Sequence, residues 1–517
     1  MKSLGIDFGT SYIKCADAIE EELISLDKKP GGESVCKIPN IITYSPDNTF
    51  KLGRNTYKMK SSENSDSLVT IDKIKTLLYA NDWDKMVSEN RIVNAVDVTN
   101  DIMQCLYDII HNKNKNENDY YATITVPVCF SERQREIIRC AAEKAGFKVG
   151  SVITEPFSSL FYLMRDNLDE NHNVLIFDIG GGTLDICLVK IEHDADVCAI
   201  KIESSLGMEF GGISINNAII DRILLKKYSN ELTPLIINAE RKYEAEWNRA
   251  KLFYEVDSIK EEIFTEDYDE DNIDKEFEIL YLTKNSNLEL KISASEIYKM
   301  LDDMNIRDKV YALLEEVIEG SNTLICDDIT DVFLTGGTSM IPYFKNAVVD
   351  YLLDNGVDDV DSLFELYDEL DIEEQAVGSV ALGAGIYNRL KSEHDKEIII
   401  EDSIPFDIFS RDSNGNAVTK LKADCRYPSY RSLEYSLHHD LIQSGKIKVY
   451  QKLPSETGEV VYIGYIPIND DIKNNCSLYR LGINTNREIF AEFGINQGNK
   501  NDAAFVSLYS EYLKIDD

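Results

Sequence analysis

Two short stretches of this chain set an acidic residue, glycines and hydroxyls directly behind an apolar run. Residues 6–12 read IDFGTSY and residues 177–186 read FDIGGGTLDI. Asp7 and Asp178 each close a strand-like run. Gly9 follows one and Gly180, Gly181 and Gly182 the other, and then come Thr10 and Ser11, or Thr183. Glycine loses more backbone freedom on folding than any other residue, so three in a row need a reason. Without side chains, backbone amides can approach a phosphate closely; hydroxyls donate to its oxygens, and a nearby carboxylate holds Mg²⁺ directly or through its waters. Two such turns facing each other would make a phosphate clamp, with Asp7 and Asp178 on the metal. A third glycine turn, in VFLTGGTSMIP (residues 332–342), also follows an apolar run and could meet base and sugar. A single glycine loop is more often a simple corner; the matched pair, with the later Gly336 and Gly337, is a stronger signal. Neither a GxGxxG dinucleotide fingerprint with its later acidic residue nor a GxxxxGK[ST] phosphate loop is present.

Such turns need strands that end at them and helices that brace the strands. Up to about residue 390 apolar runs alternate with amphipathic patterns, as in an α/β domain. YATITVPVCF (121–130) reads as a strand. Ser131 then caps a helix with Gln134 at the capping-box position, Ile137, Ile138, Ala141 and Ala145 form its apolar face, and Gly146 stops it. A second helix begins at Pro156 and turns Leu160, Phe161 and Met164 inward. After Asn388 the sequence becomes polar and charged around one patch, Ile398-Ile399-Ile400, which reads as a linker over 394–404. From 405 to 517 short alternating runs, such as Ile447 and Val449 on one face, are separated by Asn, Gly, Asp and Ser clusters. That is the pattern of a small all-β sandwich.

Composition narrows the partners. The chain has 517 residues, 43% of them hydrophobic, enough for more than one full core. No run approaches the roughly 18 uncharged apolar residues of a membrane span, and MKSLGIDFGTSY has no signal-peptide pattern. The cysteines are scattered without CxxC or Cys/His clusters, which predicts free thiols in a reducing cytoplasm. A net charge of −38 disfavours nucleic acid as a partner.

In order along the chain, IDFGTSY, TVPVCFSERQREIIRCAAEKAG, ITEPFSSL, FDIGGGTLDI, LGMEFGG and VFLTGGTSMIP resemble the ATPase motifs of the seventy-kilodalton heat-shock chaperones, the DnaK type. The resemblance implies a two-lobed actin-like ATPase domain over 1–393, an interdomain linker over 394–404 and a β-sandwich substrate domain over 405–517, which is expected to depart from the family in having no helical lid. It implies ATP or ADP with Mg²⁺ as cofactors, slow ATP hydrolysis that controls peptide binding, and extended peptides, a J-domain co-chaperone and a nucleotide exchange factor as partners. Asp7 and Asp178 would organise the metal. Gly9, Thr10, Ser11 and Tyr12, with Gly180 to Thr183, would wrap the phosphates, and Gly211 and Gly212 would belong to the same pocket. Lys75 in KIKTLL would position the attacking water, Glu155 would act near metal and water, and Thr183 would sit at the γ-phosphate. Pro127, Arg135 and Glu155 match the family's proline switch and relay. On the adenine side Lys251, Gly336, Gly337, Thr338 and Met340 match nucleotide-contacting positions. There the chain also departs from the pattern: Met340 replaces a stacking arginine, and Asn248, Leu252 and Glu255 replace a glutamate, a basic residue and a serine. These departures, with the absent lid, motivate an alternative beside the leading chaperone reading: a nucleotide-sensing scaffold that binds one dedicated partner with little turnover. An actin-like filament or a small-molecule kinase is the remaining reading.

Overall fold

The computed structural model describes residues 2–28, 34–53, 68–78, 83–113, 119–194, 197–238, 242–264, 272–282, 287–321, 323–368, 372–392, 397–403, 407–412, 414–421, 426–427, 435–437, 442–443, 445–452, 460–483, 489–497 and 504–514. The strands that end at the two aspartates belong to two sheets of matching construction. In the first, β1 (Lys2–Phe8) runs antiparallel to β2 (Tyr12–Asp17) and parallel to β3 (Tyr120–Val126), which pairs in parallel with β4 (Lys148–Thr154). In the second, β5 (His172–Ile179) runs antiparallel to β6 (Leu184–Asp194) and β6 antiparallel to β7 (Val197–Met208). Later in the chain β8 (Asp331–Thr335) joins β5 in parallel. Each lobe therefore makes an apolar strand, turns through glycine and threonine, returns as a hairpin, and receives a parallel strand on the far side of the first.

The helices bind these sheets together. A one-turn helix, α1 (Ile74–Leu77), starts after Lys73 in a left-handed conformation, φ 55°. α2 (Glu132–Ala145) carries the capping box that its sequence predicts: Gln134 N donates to Ser131 Oγ and Ser131 N donates to Gln134 Oε1. Gly146 ends it in the left-handed region, φ 112°. α3 (Glu155–Leu163) begins where β4 stops, with a proline in its first turn. It lies between the lobes, where Leu160, Phe161 and Met164 pack with Val174 and Ile176 of β5 and Phe333 of β8. α4 (Gly212–Ala218) and α5 (Lys242–Ile263) belong to the second lobe, and α6 (Ile372–Ser392) supplies Ala381, Leu382 and Ile386 to the central cluster around α3. α3 and α6 touch backbone to backbone, since a Cβ on Gly383 would collide with the Ser158 carbonyl. Each lobe also has its own core, one around Ile6, Phe8, Ile124 and Phe130, the other around Phe177, Ile186, Leu252 and Phe344.

Downstream, β9 (Glu397–Ser403) pairs in parallel with β7, in the register Cys198↔Ile398 and Ile200↔Ile400. The segment expected as a linker over 394–404 thus carries a strand that extends the second lobe's sheet; residues 394–396 and 404 lie outside the described residues. Beyond it, β10 (Ile408–Arg411), β11 (Ala417–Leu421), β12 (Lys446–Lys452) and β13 (Val460–Pro467) form one sheet. β14 (Leu478–Ile483), β15 (Ile489–Gln497) and β16 (Ala504–Tyr512) form another. Ile408, Leu421, Ile447, Val449, Ile463, Tyr479, Leu481 and Phe493 fill the space they share. The sequence pattern predicts strands alone here, but a short helix, Asp470–Asn475, is also present, because Asn469 accepts from Ile472 N as a helix cap. Arg426–Tyr427 pair antiparallel with Asp402 and Ser403. The described cysteines are free thiols. Among the described residues no helix is long and apolar enough to cross a membrane.

Candidate functional site

The turn joining β1 to β2 and the turn joining β5 to β6 face each other across the cleft between the lobes. A Cβ on Gly182 would stand 2.6 Å from Thr10 Oγ1, and one on Gly181 would collide with Ser11 Oγ, so only glycine permits this approach. The first turn is braced by Asn40, whose Nδ2 donates to the Gly9 carbonyl at 2.8 Å and whose N–H donates to the Ser11 carbonyl at 2.8 Å. The second is braced by α4: Gly212 N donates to the Gly180 carbonyl and Ile213 N to the Gly181 carbonyl. The third turn closes on the second. Thr338 Oγ1 donates to the Gly180 carbonyl at 2.8 Å, and Gly336, at φ 81°, passes against Ile179 and Asp178 where a side chain would not fit. Gly180 and Gly337 face open space. All the turn residues singled out in the sequence thus converge on one cleft: Gly9 to Tyr12, Gly180 to Thr183, Gly211, Gly212 and Gly336 to Thr338.

Asp7, at the end of β1, and Asp178, near the end of β5, are buried beneath these turns, with Glu155 at the start of α3 and Asp185 on β6. Lys75 is only 2% exposed, although α1 is a single turn, and its Nζ is paired with Glu155 Oε1. Phe8 and Phe130 lie within 6 Å of the same ammonium. Burial pushes the Glu155 carboxyl up, against the opposing pull of Lys75. Burial, then the negative charges of Glu155, Asp185 and Asp7, push Asp178 well above the carboxylate range. Asp185 is raised to about 7, by burial first and then by Glu155, although Val128 N donates to its Oδ1 at 3.2 Å and the Thr183 hydroxyl also bonds it. One oxygen each of Asp178 and Asp185 is buried without a hydrogen-bond partner. Four carboxylates around one cleft therefore face two lysines, Lys75 and Lys14. Among the described residues no three acidic, histidine or cysteine groups are set to enclose a metal alone. A hydrated Mg²⁺ fits such a site, since it takes one or two carboxylates and completes its shell with water and phosphate. The orphaned Asp178 oxygen is where that positive charge is wanted.

Four further residues of the site carry no motif signal. Lys14 on β2 bonds Asp7 Oδ2 at 2.8 Å. Asp185 lies within the FDIGGGTLDI stretch but has no role in the motif. Asn40 braces the first turn from a distant segment. Lys260 of α5 is buried beside Gly212, its Nζ held by Asn216 Oδ1 and Asp257 Oδ1, each at 2.9 Å. Strand alternation was the available signal for Lys14 and Asp185; the other two come together only in three dimensions.

The structure separates the candidates that the resemblance places beside adenine. Leu252 is fully buried in the second lobe's core, so it does not line the cleft. Asn248 bonds the Leu235 carbonyl at 3.0 Å. Lys251 and Glu255 on α5, and Met340 in the third turn, are half-buried. Lys37–Glu261, at 3.5 Å, and Lys73 over the Phe253 ring, at 5.0 Å, span the cleft between the first lobe and α5.

The Pro127–Val128 segment links the site to the β sheets downstream. Val128 holds Asp185, Phe130 N donates to the Pro127 carbonyl, and α2 starts directly after at Glu132. Glu132 N donates to Oε1 of Gln451, a fully buried residue of β12, at 3.1 Å. Arg135, buried one turn into α2, lies 3.7 Å from Glu132.

Fold and site together define the class: a two-lobed α/β protein with opposed Asp-Gly-Thr hairpins in its cleft, followed by a β domain. Within that class the chain belongs to the Hsp70 family. The family model described as Hsp70 protein matches residues 73–470, and the family's fold is an actin-like ATPase domain with a β-sandwich. The match begins after IDFGTSY, so the first turn stands on its geometric pairing with the second. The chain is also 25% identical over 337 residues to the Chaperone protein DnaK of Thermoplasma volcanium. That alignment covers 64% of this chain and 49% of the relative, so the chain spans about half the length of the curated relative it matches.

Proposed function

We propose that this chain binds ATP and ADP with Mg²⁺, hydrolyses ATP slowly, and uses the nucleotide state to control extended-peptide binding by the β domain over 405–517, as a chaperone. The observation that carries this is the close opposition of the two glycine turns above Asp7, Asp178, Glu155 and Lys75. The turn amides and the hydroxyls of Thr10, Ser11 and Thr183 bind the phosphates. Asp7 and Asp178 would hold Mg²⁺, which would supply charge neutralisation at the phosphates. Lys75, fixed by Glu155, orients the attacking water, and Thr183 sits at the γ-phosphate. Chemistry of this kind depends on positioning and charge more than on a strong base. The path Thr183–Asp185–Val128–Pro127, continued through α2 to Gln451, is the physical route by which phosphate contacts bias the β domain. A J-domain co-chaperone and a nucleotide exchange factor follow as partners from the family.

Calorimetric titration with ATP and ADP in Mg²⁺ tests the reading, and absence of binding by both refutes it. Lys75→Ala is expected to abolish single-turnover hydrolysis while nucleotide affinity changes only a few-fold. Equal hydrolysis by the variant would remove Lys75 from the mechanism.

A second reading, a nucleotide-sensing scaffold for one dedicated partner, is favoured by the core position of Leu252 and the uncharged Met340 at the base turn. Capture of many apolar extended peptides on an array supports the chaperone; a blank array supports the scaffold.

A further inference from the structure

Lys14 is a cation of the carboxylate ring for which neither the motifs nor the proposed reaction has a use. It stands on β2 directly across from Asp7, the two being register partners in the β1–β2 hairpin. Side chains opposed in this way lie on the same face of the sheet, and Lys14 Nζ reaches Asp7 Oδ2 at 2.8 Å with 15% of its side chain exposed. Placing a lysine so deep is costly unless the charge is used. Its field also reaches Glu155 and Asp178, on whose carboxyls it acts in the direction opposite to burial.

The charges in the cleft are distributed unevenly. Lys75 is engaged by Glu155 and Lys14 by Asp7, whereas the cleft's buried carboxylate oxygens without hydrogen-bond partners belong to Asp178 and Asp185. Demand for a further cation therefore falls on the β5–β6 side, and the β1 side already has one tethered to the chain. An ammonium carries three donors, and Asp7 takes one of them. As a compact point charge it suits a phosphate oxygen.

Resting on the nucleotide-binding reading above, we propose that Lys14 is a phosphate-binding residue, a built-in cation that shares with the divalent metal the neutralisation of the nucleotide's phosphates. Asp178 would then hold the metal more than Asp7, whose charge Lys14 already meets, and the site holds the phosphate chain even when divalent metal is withheld.

The test is the ratio of ADP dissociation constants measured by calorimetry in EDTA and in excess Mg²⁺, for the wild-type chain, Lys14→Gln and Lys14→Arg. Lys14→Gln is expected to raise that ratio by about ten- to a hundredfold, the worth of one charge-assisted hydrogen bond. Lys14→Arg, which keeps the charge, should leave it within a few-fold of wild type. An unchanged ratio in Lys14→Gln overturns the proposal and reduces Lys14 to a structural partner of Asp7. Should Lys14→Gln fail to fold, titration of inorganic pyrophosphate into the wild-type chain in EDTA decides: binding supports the tethered cation, and its absence overturns it. Failure of the wild type to bind ADP even with Mg²⁺ overturns the nucleotide reading and this inference together, whereas normal Mg·ADP binding with an unchanged ratio overturns this one alone.

Discussion

Replacing Asp185 with asparagine tests the electrostatics of the cleft most directly, because the effect has a definite sign with pH. In the folded chain Asp185 is raised from 3.8 to about 7 by burial and the neighbouring Glu155 charge. Below the unfolded value of 3.8 both folded and unfolded chains hold the proton, and the carboxyl contributes no difference. Between 3.8 and about 7 only the folded chain holds it, so the unfolded state binds fewer protons and stability declines as pH rises. Above about 7 the loss is complete. At about 1.4 kcal/mol per pK unit the full term is roughly 4 kcal/mol, and relaxation around the ionised carboxylate reduces it to about 1–3 kcal/mol. The substituted amide has the same shape as the carboxyl, keeps an oxygen for Val128 N, and cannot ionise. The Asp185→Asn chain should therefore melt close to wild type at about pH 4.5 and a few degrees above it at about pH 8, in ligand-free buffer read by tryptophan and tyrosine fluorescence. Relief of like charge on Asp178 acts in the same direction. Saturating Mg·ADP should shrink the difference, because a cation at the ring stabilises the ionised aspartate of the wild type alone. A variant that melts below wild type at about pH 8, or by an amount independent of pH, would refute this account.

Two further substitutions probe the clamp and the coupling route. Gly182→Ala places a methyl group 2.6 Å from Thr10 Oγ1 and should cost at least tenfold in ADP affinity, about 1.4 kcal/mol, with an unchanged circular dichroism spectrum; unaltered affinity would show that the two turns need not meet. Gln451→Ala removes the acceptor for Glu132 N, a bond worth about 1 kcal/mol, and should speed proteolytic cleavage around 393–406 and weaken the influence of nucleotide on it. Cleavage as slow as in the wild type would mean that this bond does not hold the β domain against α2.

The turns were legible in the sequence because everything they need is local. An aspartate, glycines and hydroxyls follow one another within a few residues of a strand end, and the second hairpin repeats the first. The α2 cap was legible for the same reason, its Ser131 and Gln134 being three residues apart. Lys75 was harder. KIKTLL has no feature that separates a surface lysine from a buried one, and its burial depends on Glu155, which starts a helix 80 residues later. Leu252 could be read as apolar, but not as belonging to the core side of α5. Ile398–Ile400 read as an isolated apolar patch because its partner strand, Val197–Met208, lies some 200 residues earlier, and parallel pairing over such a distance leaves no periodic trace.

Lys14 shows what strand register adds to a motif. IDFGTSY continues as IK, and alternation alone puts Lys14 on the same face as Tyr12, with nothing to say what stands opposite. The tight turn through Gly9 and Thr10 fixes the β1–β2 register, and once Phe8 pairs with Ile13, Asp7 must pair with Lys14. A one-residue slip would turn the lysine toward Cys15's side of the sheet, into the first lobe's apolar core, at a prohibitive desolvation cost. The glycine turn therefore does two things at once: it brings the backbone close to the cleft, and it determines that a lysine rather than an apolar residue faces the aspartate.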